Sequence, residues 1–141
     1  IKNQVIGQEG YDSQNYIKIA GAAAEGTIIT TSLDRGSKST ETQGFIEAFE
    51  AKAGHKADMV AASSHTAIKV IAAAIKSAGT SDRAAIRDAI AATNLTASTG
   101  KISFNDLGEV LKSVQVQIVK DGNWQHYTVI DDQALLAPPT K

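Results

Sequence analysis

Few residues in this chain could do chemistry, and most of them are spaced wrongly for it. The histidines His55, His65 and His126 form no HExxH pair or other ligand spacing. With no cysteine, thiolate metal sites and disulfides are excluded, and no metal or cofactor is expected. "SSHTA" (Ser63–Ala67) sets two serines beside His65, but adjacent helical residues do not face each other. A polar patch therefore accounts for it better than a nucleophile with its base. His55, in a turn between helices, and His126, on a strand, read as surface residues. The glycines of "GQEG" and "AEGT" make neither GxxxxGK[ST] nor a GxGxxG that opens a helix, so no phosphate loop is predicted. Asp131 and Asp132 sit in what reads as a solvated tail, and "NLT" (Asn94–Thr96) fits a glycosylation acceptor, a pattern common by chance. Nothing here points to acid–base catalysis, and no enzyme is expected.

Glu9 is different in its setting. In "VIGQEG" (Val5–Gly10) a short apolar run stops at Gly7, and a carboxylate follows before a second glycine. A glutamate after a strand is commonly just solvated. The functional alternative is a fixed anion at the carboxyl end of a strand, where open α/β sheets place their ligands. There it could accept a charge-assisted hydrogen bond from an ammonium group. Flanking glycines would let a ligand or a neighbouring loop approach, and Gln8 and Tyr11 could line the same turn.

The elements that must position this turn follow from periodicity. "QVIG" (Gln4–Gly7) predicts a buried strand, and Asp12 or Ser13 can cap a short helix that ends at Gly21, with Tyr16, Ile17 and Ile19 partly inward. "GTIITTS" (Gly26–Ser32) is β-branched and predicts a second strand, followed by the polar connection "LDRGSKST". Thr40 can cap a helix to about Ala53, ended by Gly54. Asp58 starts a long helix to about Ala78, with Val60, Ser64, Ile68, Ile71 and Ile75 at helical spacing and Lys69 and Lys76 on the wet side. Ser81 caps a further helix with Ile86 and Ile90 inward. "GKISF" then predicts a strand, "NDLGE" a turn, and Val114–Ile130 a hairpin about Asp121-Gly122. "DDQALLAPPTK" reads as an extended tail. The class is mixed α/β, but the middle helices present apolar faces that need a sheet this sequence hardly supplies.

Bulk properties narrow the partners. A net charge of −1 gives no electrostatic case for nucleic acid, and no apolar run approaches the roughly 20 residues that span a bilayer. The 43% apolar content suffices for a core. The absence of cysteine fits an oxidising compartment without proving one. No signal peptide is visible, and the sequence opens abruptly on "IKNQVIGQEG", so we expect it to be a piece of something longer.

Taken in order, "GQEG…IKIAGAAAEGTIITTSLDR", "FIEAFEAKAGHKADMVAASSHTAIKVIAAAIKSAG", "DRAAIRDAIAAT" and "GKISFNDLGE…VQVQIVKDGNW" resemble the carboxyl-terminal part of branched-chain amino-acid-binding proteins of bacterial ABC importers. These are type I periplasmic solute-binding proteins. The resemblance runs from Val5 to Trp124, and its most specific pieces are "AGxxxEG" and "GKISFNDLGE". It implies an incomplete portion of a two-lobed α/β fold that traps a small-molecule ligand by hinge closure and delivers it to a membrane permease. It implies a periplasmic or membrane-tethered extracellular location. Residues 1–32 would end the second lobe, 33–113 would be the returning part of the first, 114–130 the final crossing and hairpin, and 131–141 a tail. In relatives that bind α-amino acids, the glutamate of the "GxEG" loop pairs with the ligand's ammonium; Glu9 stands at that position. The family often has "GYDA" or "TYAA" where this chain has "SSHTA", so no contact from that helix is carried over. The family's carboxylate-binding groups, and the βαβ core of both lobes, belong to segments outside this sequence. Two other readings are open: an amide- or small-molecule-sensing domain of the same fold, and a truncated fragment with no binding of its own. Exposed apolar faces and sheet edges would favour self-association of the fragment.

Overall fold

The strands at the two ends of the chain meet in one sheet, and the helical middle carries a second. The computed structural model describes residues 3–136. In the first sheet β1 (Ile6–Gly7) runs parallel to β2 (Ile28–Thr31), which pairs antiparallel with β6 (Val114–Lys120), and β6 with β7 (Asn123–Ile130). The predicted strands Gln4–Gly7 and Gly26–Ser32 are both longer than the observed β1 and β2. The β6–β7 turn has φ 52° at Asp121 and 68° at Gly122, the left-handed pair that a two-residue hairpin of matching twist requires. Glu25, from the "AEG" stretch, closes that turn: its carboxylate accepts the Asp121 N–H at 2.7 Å and the Gly122 N–H at 3.3 Å.

Helix α1 (Gln14–Ala20) covers one face of this sheet. Ile17, Ala24, Ile29, Val119 and Trp124 form the core beneath it. Tyr16 stacks on Trp124 with ring centroids 5.9 Å apart, and the indole N–H donates to the Ser13 carbonyl at 3.2 Å. Ser13 caps α1 through the Tyr16 N–H, so Asp12 is free for another role. Ile19, expected partly inward, is 86% exposed. The apolar stripe of a seven-residue helix is narrow, and Ile17 takes it.

In the middle, α2 (Thr40–Ala53), α3 (Met59–Ala78) and α4 (Arg83–Ala91) precede the small antiparallel sheet of β3 (Asn94–Ala97), β4 (Gly100–Phe104) and β5 (Val110–Leu111). Glycines in the left-handed conformation end α2 at Gly54 and α3 at Gly79. Asp58 caps α3 as expected. The caps of α2 and α4 sit one residue away from expectation: Ser39 rather than Thr40 accepts the Thr42 N–H, and Asp82 rather than Ser81 accepts the Ala85 N–H. In each case the oxygen that reaches an N–H three residues on is the one that caps. Strands β3 and β5 are not predicted; four and two residues are too short to show alternation. The expected tail instead turns into α5 (Gln133–Leu136), with Asp132 Oδ1 accepting the Ala134 N–H; residues 137–141 of that tail lie outside the described residues.

One difference concerns packing. The buried stripe of α3 is Ala62, Thr66, Val70 and Ala74, and the isoleucine stripe lies open, with Ile68 66% exposed. Small residues let β3 and α4 approach closely. The larger side chains point toward a surface that no described residue covers, which agrees with the shortage of sheet read from the sequence.

Candidate ligand-binding site

Glu9 opens a single helical turn (Glu9–Tyr11) directly beyond β1, at the carboxyl end of that strand. Its side chain is exposed, and Oε2 accepts the Ser32 hydroxyl at 3.2 Å. Ser32 follows β2, where the chain leaves the first sheet. Gln8 is exposed and makes no side-chain capping bond to the turn. Tyr11 is half exposed and packs edge-on against Tyr16, centroids 5.2 Å apart. The two glycines do different work. A Cβ at Gly7 would stand 2.6 Å from the Tyr11 ring, so the ring needs a glycine there, whereas a Cβ at Gly10 would meet nothing within 4 Å.

Ser32 also lines an apolar groove of about 390 Å³, walled by Thr66, Val70, Ile71 and Phe104 and edged by Lys112. Lys112 is half buried; burial pushes its pKa down, and the negative charge of Glu9 opposes that shift. A carboxylate, a hydroxyl and an ammonium therefore gather where the chain passes between the two sheets, at the polar end of an apolar trough. Such a constellation can hold a molecule with one charged end and an apolar body. Nothing in the residue types alone singles out Ser32 or Lys112. Their only sequence signal is position, since Ser32 follows β2 and Lys112 lies between β5 and β6, where the chain passes from one sheet's unit to the other's.

The other candidates resolve into packing. His65 bonds through Nδ1 to Ser98 at 2.9 Å, not to Ser63 or Ser64, and stacks on Phe45 at 4.8 Å. Ser98 in turn donates to the Ala62 carbonyl at 2.9 Å. His55 contacts the Lys56 carbonyl, and His126 lies 3.2 Å from Asp34. No group of three or more His, Cys, Asp or Glu side chains suited to a metal ion occurs among the described residues. Among the described residues, no helix is long and apolar enough to cross a membrane.

A carboxylate at a strand's carboxyl end is where open α/β sheets place their ligands, and comparison gives the family. The profile for periplasmic binding proteins matches residues 2–123, and the chain belongs to that family, which comprises solute-binding proteins rather than enzymes. A leucine-binding protein of Thermotoga maritima superposes with a TM-score of 0.86 at 29% identity, over 95% of this chain and 39% of its own. The branched-chain amino-acid transporter substrate-binding protein of Streptococcus pneumoniae, solved with isoleucine, gives 0.82 at 20% identity, over 92% and 38%. A solute-binding protein of Rhodopseudomonas palustris in complex with benzoate gives 0.73 at 20%, over 80% and 32%. The two at 20% identity speak for the fold alone. This chain thus spans less than two fifths of each of these structures. No curated protein sequence matches it.

Proposed function

We propose that this chain supplies one side of an amino-acid-binding cleft in the solute-binding component of an ABC importer, with Glu9 as the acceptor for the ligand's ammonium group. In this reading residues 1–32 and 114–130 belong to one lobe and 33–113 to the other. The bound amino acid is branched-chain or related, the protein works in the periplasm or tethered outside the membrane, and it hands its cargo to a permease. The observation that carries the reading is the position of Glu9: at a strand's carboxyl end, tied to Ser32 at the crossing, beside the groove that Ser32 lines. A desolvated ammonium–carboxylate pair is strongly selective, because either charge left unpaired in a closed cleft costs about 3–5 kcal/mol.

The test is calorimetry with leucine on the full-length polypeptide beside its Glu9→Gln variant. Leucine binding should be lost in the variant; retention at full affinity refutes the assignment. Residues 1–141 alone should show no leucine-dependent rise in melting temperature, and micromolar binding by that purified monomer would refute the one-sided cleft. A second reading is an amide- or small-molecule-sensing domain of the same fold. If Glu9 receives a neutral amide instead, Glu9→Gln should keep amide binding.

A further inference from the structure

Asp12 and Arg35 stand out once the cleft is assigned. The Asp12 side chain is fully buried, yet it takes no part in capping α1. Its Oδ2 accepts the Thr31 hydroxyl at 2.6 Å, and its Oδ1 accepts Arg35 Nη2 at 2.5 Å. The same Nη2 donates to the Ala57 carbonyl at 3.0 Å, in the loop between α2 and α3. Arg35 Nη1 is buried with no hydrogen-bond partner among the described residues, and the Asp12 carboxylate is the anion bonded directly to the guanidinium. One carboxylate therefore fastens the turn after β1 to the end of β2 and, through Arg35, to the helical unit.

The neighbouring residues repeat the arrangement at the surface. Thr31 and Ser32 are consecutive; the first donates to Asp12 and the second to Glu9. Asp12 follows the Glu9–Tyr11 turn directly, and its N–H donates to the Glu9 carbonyl at 3.0 Å. Wherever Asp12 is held, Glu9 is held three residues away. The connector itself is braced: Gln43 donates to the Arg35 carbonyl at 3.3 Å and to the Ser37 carbonyl at 2.7 Å.

We propose that Asp12 and Arg35 are positioning residues for the ligand anchor: their buried pair clamps the Glu9 turn to the crossing and fixes its place relative to the α2–α3 loop. The role rests on the reading of Glu9 given above, and it can be tested separately from it. Residues 1–141 contain no cysteine, so two spin labels placed in this segment are the only ones in it, and any cysteine elsewhere in the full-length polypeptide is first replaced by serine. Gly10→Cys, where a side chain meets nothing, marks the turn, and exposed Lys69→Cys marks α3. In the full-length polypeptide the distance distribution between the labels should be narrow. It should broaden in Asp12→Asn and Arg35→Gln and narrow again in Arg35→Lys, which keeps the charge.

A merely structural pair would lower the melting temperature without broadening the folded-state distribution, and that result overturns the proposal. If Asp12→Asn does not fold, Arg35→Gln decides alone, since Arg35 is partly exposed. Leucine titration of the same variants should show a loss of about tenfold, smaller than that of Glu9→Gln. If the unsubstituted protein takes no leucine, the Glu9 assignment falls while the label distances still decide the clamp. If Glu9→Gln abolishes binding but no clamp variant broadens, the clamp falls and the assignment stands.

Discussion

The four-stranded sheet and helix α3 meet the same demand, burial of apolar surface, in opposite ways. The sheet with α1 closes a core of its own: Ile29 and Val119 are buried against Ile17 and Trp124. Helix α3 buries mostly alanine and threonine on its packed side and leaves Val60, Ile68, Ile71 and Ile75 exposed. Region one can therefore be damaged by a single truncation. Region two carries its largest side chains where their loss removes little. The largest expected effect is Trp124→Ala. That truncation removes the stack on Tyr16 and the bond to Ser13 along with the buried ring, and should cost about 3–5 kcal/mol. Urea denaturation followed by far-UV circular dichroism checks it. A cost below about 1 kcal/mol would mean the sheet unit is not the self-sufficient half.

An intermediate effect is expected where α3 does pack. Ser98 is fully buried and lies at the centre of a hydroxyl chain in which Thr99 and Thr66 sit 3.0 Å apart and Thr66 and Ser98 3.0 Å apart. Because the Ala62 carbonyl can only accept, the Ser98 proton goes there. Thr66 and His65 Nδ1 must then both donate to Ser98, and Thr99 donates to Thr66. Ser98→Ala strands those donors and should cost about 1–3 kcal/mol. A cost as large as that of Trp124→Ala would erase the contrast between the two regions.

Much of this was legible in the residues, because local chemistry decides it. Asp121-Gly122 specifies its hairpin, Asp58 and Gly54 mark real helix ends, and Glu9 does lie just past a strand. What was not legible depends on partners distant in sequence. Asp12 reads equally well as a cap until Thr31 and Arg35 are seen to hold it. Periodicity finds the isoleucine stripe of α3 but does not say whether anything covers it. The histidine in "SSHTA" invites pairing with its serine neighbours, while its real partner is 33 residues away.

His65 gives a smaller, pH-dependent readout of the packed side of α3. Burial, and then the positive charge of Lys69, hold its pKa below the ordinary 6.5. As pH falls below 6.5 the unfolded chain binds a proton that the folded chain refuses. The stability that neutral His65 contributes is thus complete above that pH and declines toward the folded pKa, with no further loss beneath it. Melting temperatures at about pH 7.5 and about pH 5.5 should fall on acidification, and fall less in His65→Gln. His55 and His126 are present in both proteins, so the difference isolates His65. An equal drop would assign the effect elsewhere.

The smallest stability effect should come from the open stripe. Ile68→Lys and Ile75→Lys alter side chains that stand on the open side of α3, 66% and 46% exposed, in a helix that accommodates lysine well, so each should change unfolding free energy by no more than about 0.5 kcal/mol. Their consequence lies in solution behaviour. If the stripe drives association of residues 1–141, sedimentation velocity should show the unsubstituted segment shifting to larger species with concentration and the double variant remaining monomeric. Substantial destabilisation by either lysine would contradict the division drawn here, for it would mean that α3 already buries its isoleucines within this segment. A stripe that is open in the segment and tolerant of charge instead keeps the contrast with the sheet unit, whose large side chains are the buried ones.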